Sequence, residues 1–207
     1  MSNHDKLLHQ LAIKGFGKTE ALVESMALPE AEVVETLAAL ESEGLTLATR
    51  VGVRLSPEGK LAAAKIIAGQ KDAADAARLD AEHDRFQPLN STYKKLVTDW
   101  QMRDVNGGQI PNDHSDAEYD GKIMEGMADI HARITTLLNE MQDHVPHMAD
   151  YVARFDAALK RIEAGEHKYM TAPIIDSYHT IWFELHQDLI GLLGRDRASE
   201  AAAGRAV

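Results

Sequence analysis

The chain has 207 residues, a formal charge of -11 at pH 7 and no cysteine. That length allows one large domain or two small ones, each with a proper core. The acidic balance gives no support to a general affinity for nucleic acid or anionic membrane, and the missing cysteine excludes disulfides, thiolate metal sites and cysteine nucleophiles together.

No segment has the charged start, apolar run and cleavage site of a signal peptide, and no stretch of ~20 residues is free of charge. A soluble cytoplasmic protein without a membrane span is therefore expected.

His4 to Lys14 carries Leu7, Leu8, Leu11 and Ala12 on one side, a short amphipathic helix ended by Gly15. Lys18 to Met26 gives a second helix. Glu30 to Glu43 gives a third, built on Val33, Val34, Leu37 and Leu40 and stopped by Gly44. Residues 45–49 and 51–55 alternate as two short strands of a hairpin. Ser56-Pro57-Glu58 then opens another helix, with a cap, a first-turn proline and an acid near the positive helix end. Three helices, a hairpin and a further helix is the winged-helix order, a variant of helix-turn-helix. The segments Leu40-Glu-Ser-Glu-Gly-Leu45 and Val53-Arg-Leu-Ser-Pro-Glu-Gly59 resemble the winged-helix domain of MarR-like regulators.

The third helix is the one that would enter a major groove. It contains five acids (Glu30, Glu32, Glu35, Glu41, Glu43) and no Lys or Arg. DNA binding relies on neutralising phosphates, and bases are mostly read by Arg, Lys, Asn or Gln. Only Arg50 and Arg54 on the wing, with Lys14 and Lys18, supply positive charge. Groove recognition and use as a protein-docking module stand as alternatives.

Leu61 to Phe86 is rich in Ala, Asp and Arg and reads as a solvated linking helix. From Pro88 the pattern changes. Leu89, Tyr93, Leu96 and Trp100 form a stripe on a helix ending near Arg103. Ile123, Met127, Ile130, Ile134, Leu137 and Met141 mark a second helix over about Ala117 to Asp143. After Pro146, Met148 to Ile162 gives a third, stopped at Gly165.

The fourth spans 171–194, with Thr171 as cap, Pro173 in the first turn and Gly194 at the end. Tyr178, Ile181, Leu185, Leu189 and Leu192 form its stripe, while Trp182, Phe183 and Leu193 widen the apolar surface. The predicted fold is mainly α. It has a winged helix over 1–65, a linking helix over 66–87, an antiparallel four-helix bundle with a ligand pocket over 88–195 and a flexible tail over 196–207.

Residues 104–116 show no core pattern and gather Asn112, Asp113, His114 and Asp116. They form either a turn in which Asn112 and Asp113 bond backbone and Asp116 caps the next helix, or a lid presenting His114 to a ligand. The chain has 10 His, of which His131, His144, His147, His179 and His186 lie on or beside apolar helices. His179 and His186 are two turns apart, roughly 10 Å along the axis, too far to share one ion by themselves. No metal site is expected. No HExxH pair, Walker loop or nucleophile elbow occurs either. A pocket lined by Trp100, Tyr178, Trp182 and Phe183, with Asp99, His114, His179, Glu184 and His186 as polar contacts, suits a small aromatic or carbonyl compound. The alternative is a buried polar network that fixes the bundle.

Thr98-Asp-Trp-Gln-Met-Arg103, Asn112-Asp-His-Ser-Asp116 and Asp176-Ser-Tyr-His-Thr-Ile-Trp-Phe-Glu-Leu-His-Gln-Asp-Leu189 together resemble an actinobacterial family in which a winged helix precedes a helical domain. Its members are labelled MarR-like, or are attached to or found beside enzymes resembling pyruvate phosphate dikinase and phosphoenolpyruvate synthase. The resemblance implies an acceptor-binding or accessory subunit of a two-component dikinase-type phosphotransferase, acting on a phenol or hydroxyaryl ketone. ATP and Mg would reside on the partner, with no cofactor on this chain. It also implies His114, His179 or His186 as the base, oriented by Asp99 or Glu184. Arg103 would meet phosphate, and Trp100, Tyr178 and Trp182 would hold the substrate. The alternative is a ligand-responsive MarR-like regulator that binds DNA.

Overall fold

Small polar side chains mark where most of the helices begin. The computed structural model describes residues 1–105 and 107–195. In it, Ser2 accepts from the Asp5 backbone N–H and starts α1 (Asn3–Lys14). Helices α2 (Thr19–Met26) and α3 (Glu30–Ser42) follow. Strands β1 (Thr46–Thr49) and β2 (Gly52–Leu55) form an antiparallel hairpin with Thr46 opposite Leu55. Ser56 then caps α4 (Pro57–Ala73) through the Gly59 N–H, with Pro57 in the first turn. Gly59 is needed for space, because a Cβ there would lie 1.9 Å from the Leu45 carbonyl oxygen. Leu7, Leu11, Leu22, Val33, Leu40 and Leu55 are among the buried residues of this first core.

Residues 61–86 are not one solvated helix. The chain breaks at Ala74 and Asp75, and Asp75 caps α5 (Ala76–Gln101) through the Arg78 N–H. Leu79, Glu82, His83 and Phe86 are buried on that helix. Pro88 does not start a helix but sits inside α5. A proline in a helix interior costs about 3 kcal/mol. Burial of Phe86, Leu89 and Tyr93 around it keeps the helix docked despite that cost.

The segment expected as a turn or a lid begins as a second hairpin, β3 (Met102–Val105) with β4 (Gly108–Pro111), Met102 lying opposite Pro111. Its remainder is a turn. Asn112 Oδ1 accepts from the His114 N–H, Asp113 Oδ1 accepts from the Ser115 N–H, and Asp116 caps α6 (Ala117–Met141) through the Tyr119 N–H. Helix α7 (Met148–Glu163) and the short α8 (Lys168–Thr171) follow.

The last helix is shorter than 171–194. Thr171 ends α8, and residues 172–177 are not helical, with Ile174 at φ 78°. Helix α9 (Tyr178–Leu192) starts nearly two turns later than expected, capped by Ser177 rather than Thr171 through the Thr180 N–H. This detour has a result: it delivers Asp176 to Arg154 of α7.

Phe86, Tyr93, Ile130, Phe155, Tyr178 and Trp182 belong to the second core. Helix α9 packs against α7 and α8 on one side and against α1 and α4 on the other, so it meets both cores. The protein is thus mainly helical, with nine helices and two short hairpins among the described residues. No described helix is long and apolar enough to cross a membrane. The expected tail over 196–207 lies outside the described residues.

Candidate functional site: an aromatic cleft between α5 and α9

The residues selected from the sequence separate into three places. The first is a cleft of about 320 Å³ between α5 and α9, whose walls include Tyr93, Lys94, Val97, His179, Trp182 and Phe183. Tyr93 and Trp182 stack with ring centroids 4.2 Å apart. Trp182 Nε1 donates to Asn90 Oδ1 at 2.9 Å, which fixes the indole plane. Tyr93 places a phenol in this wall, and its hydroxyl is buried with no hydrogen-bond partner among the described residues. Such an orphaned group costs about 1–3 kcal/mol.

Burial holds the Tyr93 phenol well above its ordinary value, so it stays a donor. Burial also lowers the His179 imidazole below its ordinary value, which leaves a neutral ring able to take a proton. Tyr178 lies beneath this wall rather than in it. It packs on Phe155 with centroids 4.6 Å apart, and its hydroxyl meets His131 Nδ1 at 3.3 Å.

The second place is the end of the molecule at the β3–β4 hairpin. His114 lies against Trp100 with ring centroids 4.2 Å apart, and His167 meets the same indole edge-on at 5.3 Å. His114 Nδ1 contacts Asp120 at 3.0 Å. Arg103 pairs with Asp116 at 2.8 Å and lies over the Tyr119 ring. Asp99 is bonded to Lys95 one turn earlier. Asp99, Trp100, Arg103 and His114 therefore sit together at this end, with Trp100 buried, and are not among the residues lining the α5–α9 cleft.

The third place is a buried ionic seam between α1, α7 and α9. Glu184 faces away from the cleft's aromatic wall into this seam. It receives Arg154 at 2.6 Å, Lys14 at 2.6 Å and Gln10 at 2.8 Å. Arg154 also makes a two-pronged contact to Asp176 at 2.8 and 2.5 Å. Below it, Asp188 takes His9 at 3.1 Å, His147 at 3.0 Å and the Tyr151 hydroxyl at 3.0 Å. Burial would raise Asp188, but His9 and His147 outweigh it and hold the carboxyl far below the usual range. Burial likewise works against a charged Arg154, yet Glu184 and Asp176 raise it further. His186 is buried against Phe86, with ring centroids 5.3 Å apart. It lies in the core, not in the cleft wall.

Reading the sequence missed His9, Gln10, Lys14, His147 and Arg154 as one group. A signal was present. Arg154 stands on the stripe of Tyr151, Phe155 and Ala158, where an apolar residue is expected, and Glu184 and Asp188 are one turn apart on the most apolar helix.

Other depressions are less suited to a ligand. One of about 500 Å³ along Arg85, Pro88 and Thr136 has no aromatic wall, and one of about 220 Å³ beside Arg154 combines four alanines with Tyr169 and the charged Glu24, Arg161 and Asp176. Set beside protein-family models, curated proteins and solved structures, the chain matches none of them.

Proposed function

We propose that this protein binds a small aromatic molecule in the α5–α9 cleft, as the acceptor-binding or accessory subunit of a dikinase-type phosphotransferase. The observation that carries the reading is the cleft itself, whose stacked Tyr93 and Trp182 lie beside a half-buried His179. A space of about 320 Å³ is at the lower end of ligand pockets, which suits a single substituted ring. The neutral His179 imidazole is a base for a phenolic hydroxyl, and Lys94 adds positive charge beside the phenolate or an incoming phosphoryl group. ATP and Mg belong to the partner in this reading. The described residues of this chain supply the aromatic wall, the base and the charge. The setting is cytoplasmic, and the substrate class is a phenol or hydroxyaryl ketone.

We read residues 1–65 as a winged helix and helices α5 to α9 as a bundle that begins at Ala76 rather than at Pro88. Helix α3 carries exposed Glu30, Glu32, Glu35 and Glu41, with exposed Glu43 just after its end, and no cation. That face repels phosphate, so the winged helix is read as the surface that docks the catalytic partner. A MarR-like regulator is the second reading, favoured by the order of three helices, hairpin and helix and by exposed Arg50 and Arg54 at the hairpin.

The test combines this protein with a dikinase-like catalytic subunit encoded beside it, ATP and a panel of phenols, and follows AMP. Phenol-dependent AMP formation that requires both chains supports the subunit. No complex and no AMP, together with specific binding to its own upstream DNA, would transfer the assignment to the regulator.

A further inference from the structure

The buried cluster below Arg154 has a composition that the ionic seam alone does not require. His9 from α1, His147 from the turn before α7 and Asp188 from α9 converge, with one ligand atom from each lying within 4.8 Å of the others. All three are buried. The residues are 138 and 41 positions apart along the chain. Only the fold brings them together, which is why no spacing motif announces them.

The geometry points to a divalent transition-metal site, of the zinc type, formed by His9 Nε2, His147 Nε2 and the Asp188 carboxylate. Both imidazoles already present Nε2 to the carboxylate, at 3.1 and 3.0 Å. Ligands of a tetrahedral zinc ion, bound at about 2.0–2.2 Å, stand roughly 3.3 Å from one another, so small side-chain rotations admit the ion. Two imidazoles and one carboxylate are a donor set for zinc or iron(II) rather than for calcium or magnesium. Next to them is a cavity of about 30 Å³, lined by His9, His147 and Tyr151 and running out to exposed Met1. It holds room for one water as a fourth ligand.

A second observation comes from outside the three ligands. Gln70 of α4 reaches His147 Nδ1 at 3.4 Å through Nε2, while its Oε1 is buried with no hydrogen-bond partner among the described residues. Turning this amide over puts an oxygen acceptor at Nδ1. The imidazole then carries its proton on Nδ1 and directs the Nε2 lone pair at the ion, the usual arrangement behind a metal-bound histidine. Nearby Lys6 is already matched by Asp150 at 3.0 Å, so its charge is compensated. Bound there, the ion would tie α1 to α7 and α9.

The experiment uses chelator-treated full-length protein and zinc chloride or cobalt chloride alone. Expected are one equivalent bound, the visible absorption of a four-coordinate cobalt site, and a rise in thermal midpoint with added zinc. Zinc should shift the side-chain nitrogen resonances of His9 and His147 and leave those of His131 and His144 in place. H147Q and D188N should each weaken binding at least about tenfold, and Q70L should weaken it about 10- to 100-fold. The resonance test is made on the wild-type chain, so it decides even where a variant fails to fold. Absence of stoichiometric binding, shifts at other histidines, or undiminished binding in folded D188N would overturn the site.

Discussion

Arg154 and His179 show how burial assigns opposite tasks to two polar side chains. Arg154 is almost fully enclosed, and its guanidinium is the shared partner of Asp176 and Glu184. Removing one partner of a buried ionic group costs about 3–5 kcal/mol, because the charges left behind have no water. R154A should therefore lower the unfolding free energy by that amount, read from denaturant midpoints. Lys14 keeps both carboxylates from being wholly unpaired. The exposed Lys95–Asp99 pair is a contrast, and K95A should change stability by about 0.5 kcal/mol or less. His179 has no charged partner lowering its basicity; burial alone does so. Its folded value lies below the unfolded value of about 6.5, so between the two the unfolded chain binds more protons. Its contribution then makes stability fall as pH drops through 6.5. H179Q should flatten that part of the stability–pH curve, and a nitrogen-detected titration should place the His179 midpoint below 6.5.

At the scale of the element, capping residues settled most boundaries, and tertiary contacts overruled the rest. Ser56 before Pro57 and Asp116 before Ala117 start helices where their side chains lead one to expect. The start of α9 was misplaced because Thr171 and Pro173 form a plausible cap on paper. The chain instead uses Ser177, and the freed segment carries Asp176 to Arg154, a partner invisible in local sequence. Pro88 misled for a similar reason, since burial on both sides of it outweighs its local penalty. The β3–β4 hairpin was missed because its four-residue strands are half-exposed or exposed and carry no alternation of apolar and polar residues. Two substitutions test these accounts. S177A should cost about 1 kcal/mol through loss of the cap to the Thr180 N–H. G59A should cost about 3 kcal/mol, because α4 must move away from the Leu45 carbonyl. Both are read from urea midpoints.

Over the whole molecule, α9 belongs to the second core, packs against α1 and α4 of the first and lines the cleft. Its apolar residues, Tyr178, Ile181, Trp182, Leu185 and Leu189, belong to the second core. Glu184 and Asp188 meet α1 and α7 in the ionic seam, and His179, Trp182 and Phe183 face the cleft. The importance of this helix was legible from its composition; of the four wall residues expected, Trp182 and Phe183 line the cleft, Trp100 and Tyr178 do not, and Tyr93 was read only as part of a stripe. The division of its polar residues was not legible. Whether Glu184 meets a ligand or Arg154 depends on where α1 and α7 lie, and no pattern within α9 states that. His114 and Trp100, expected in one pocket with the last helix, instead pack on each other at the hairpin end, where His167 meets them.

The central claim is that the α5–α9 cleft holds a small aromatic molecule. The chain has two tryptophans, Trp100 and Trp182, so W100F leaves the cleft indole as the sole tryptophan reporter. Titrating W100F with phenols and hydroxyaryl ketones, and following the indole emission, tests the claim directly. The account predicts a saturable change for at least one ring compound, weakened about tenfold or more in W100F carrying V97F, which fills the cleft without adding an indole. Emission that stays flat across the panel, or a response that V97F leaves unaltered, would contradict it.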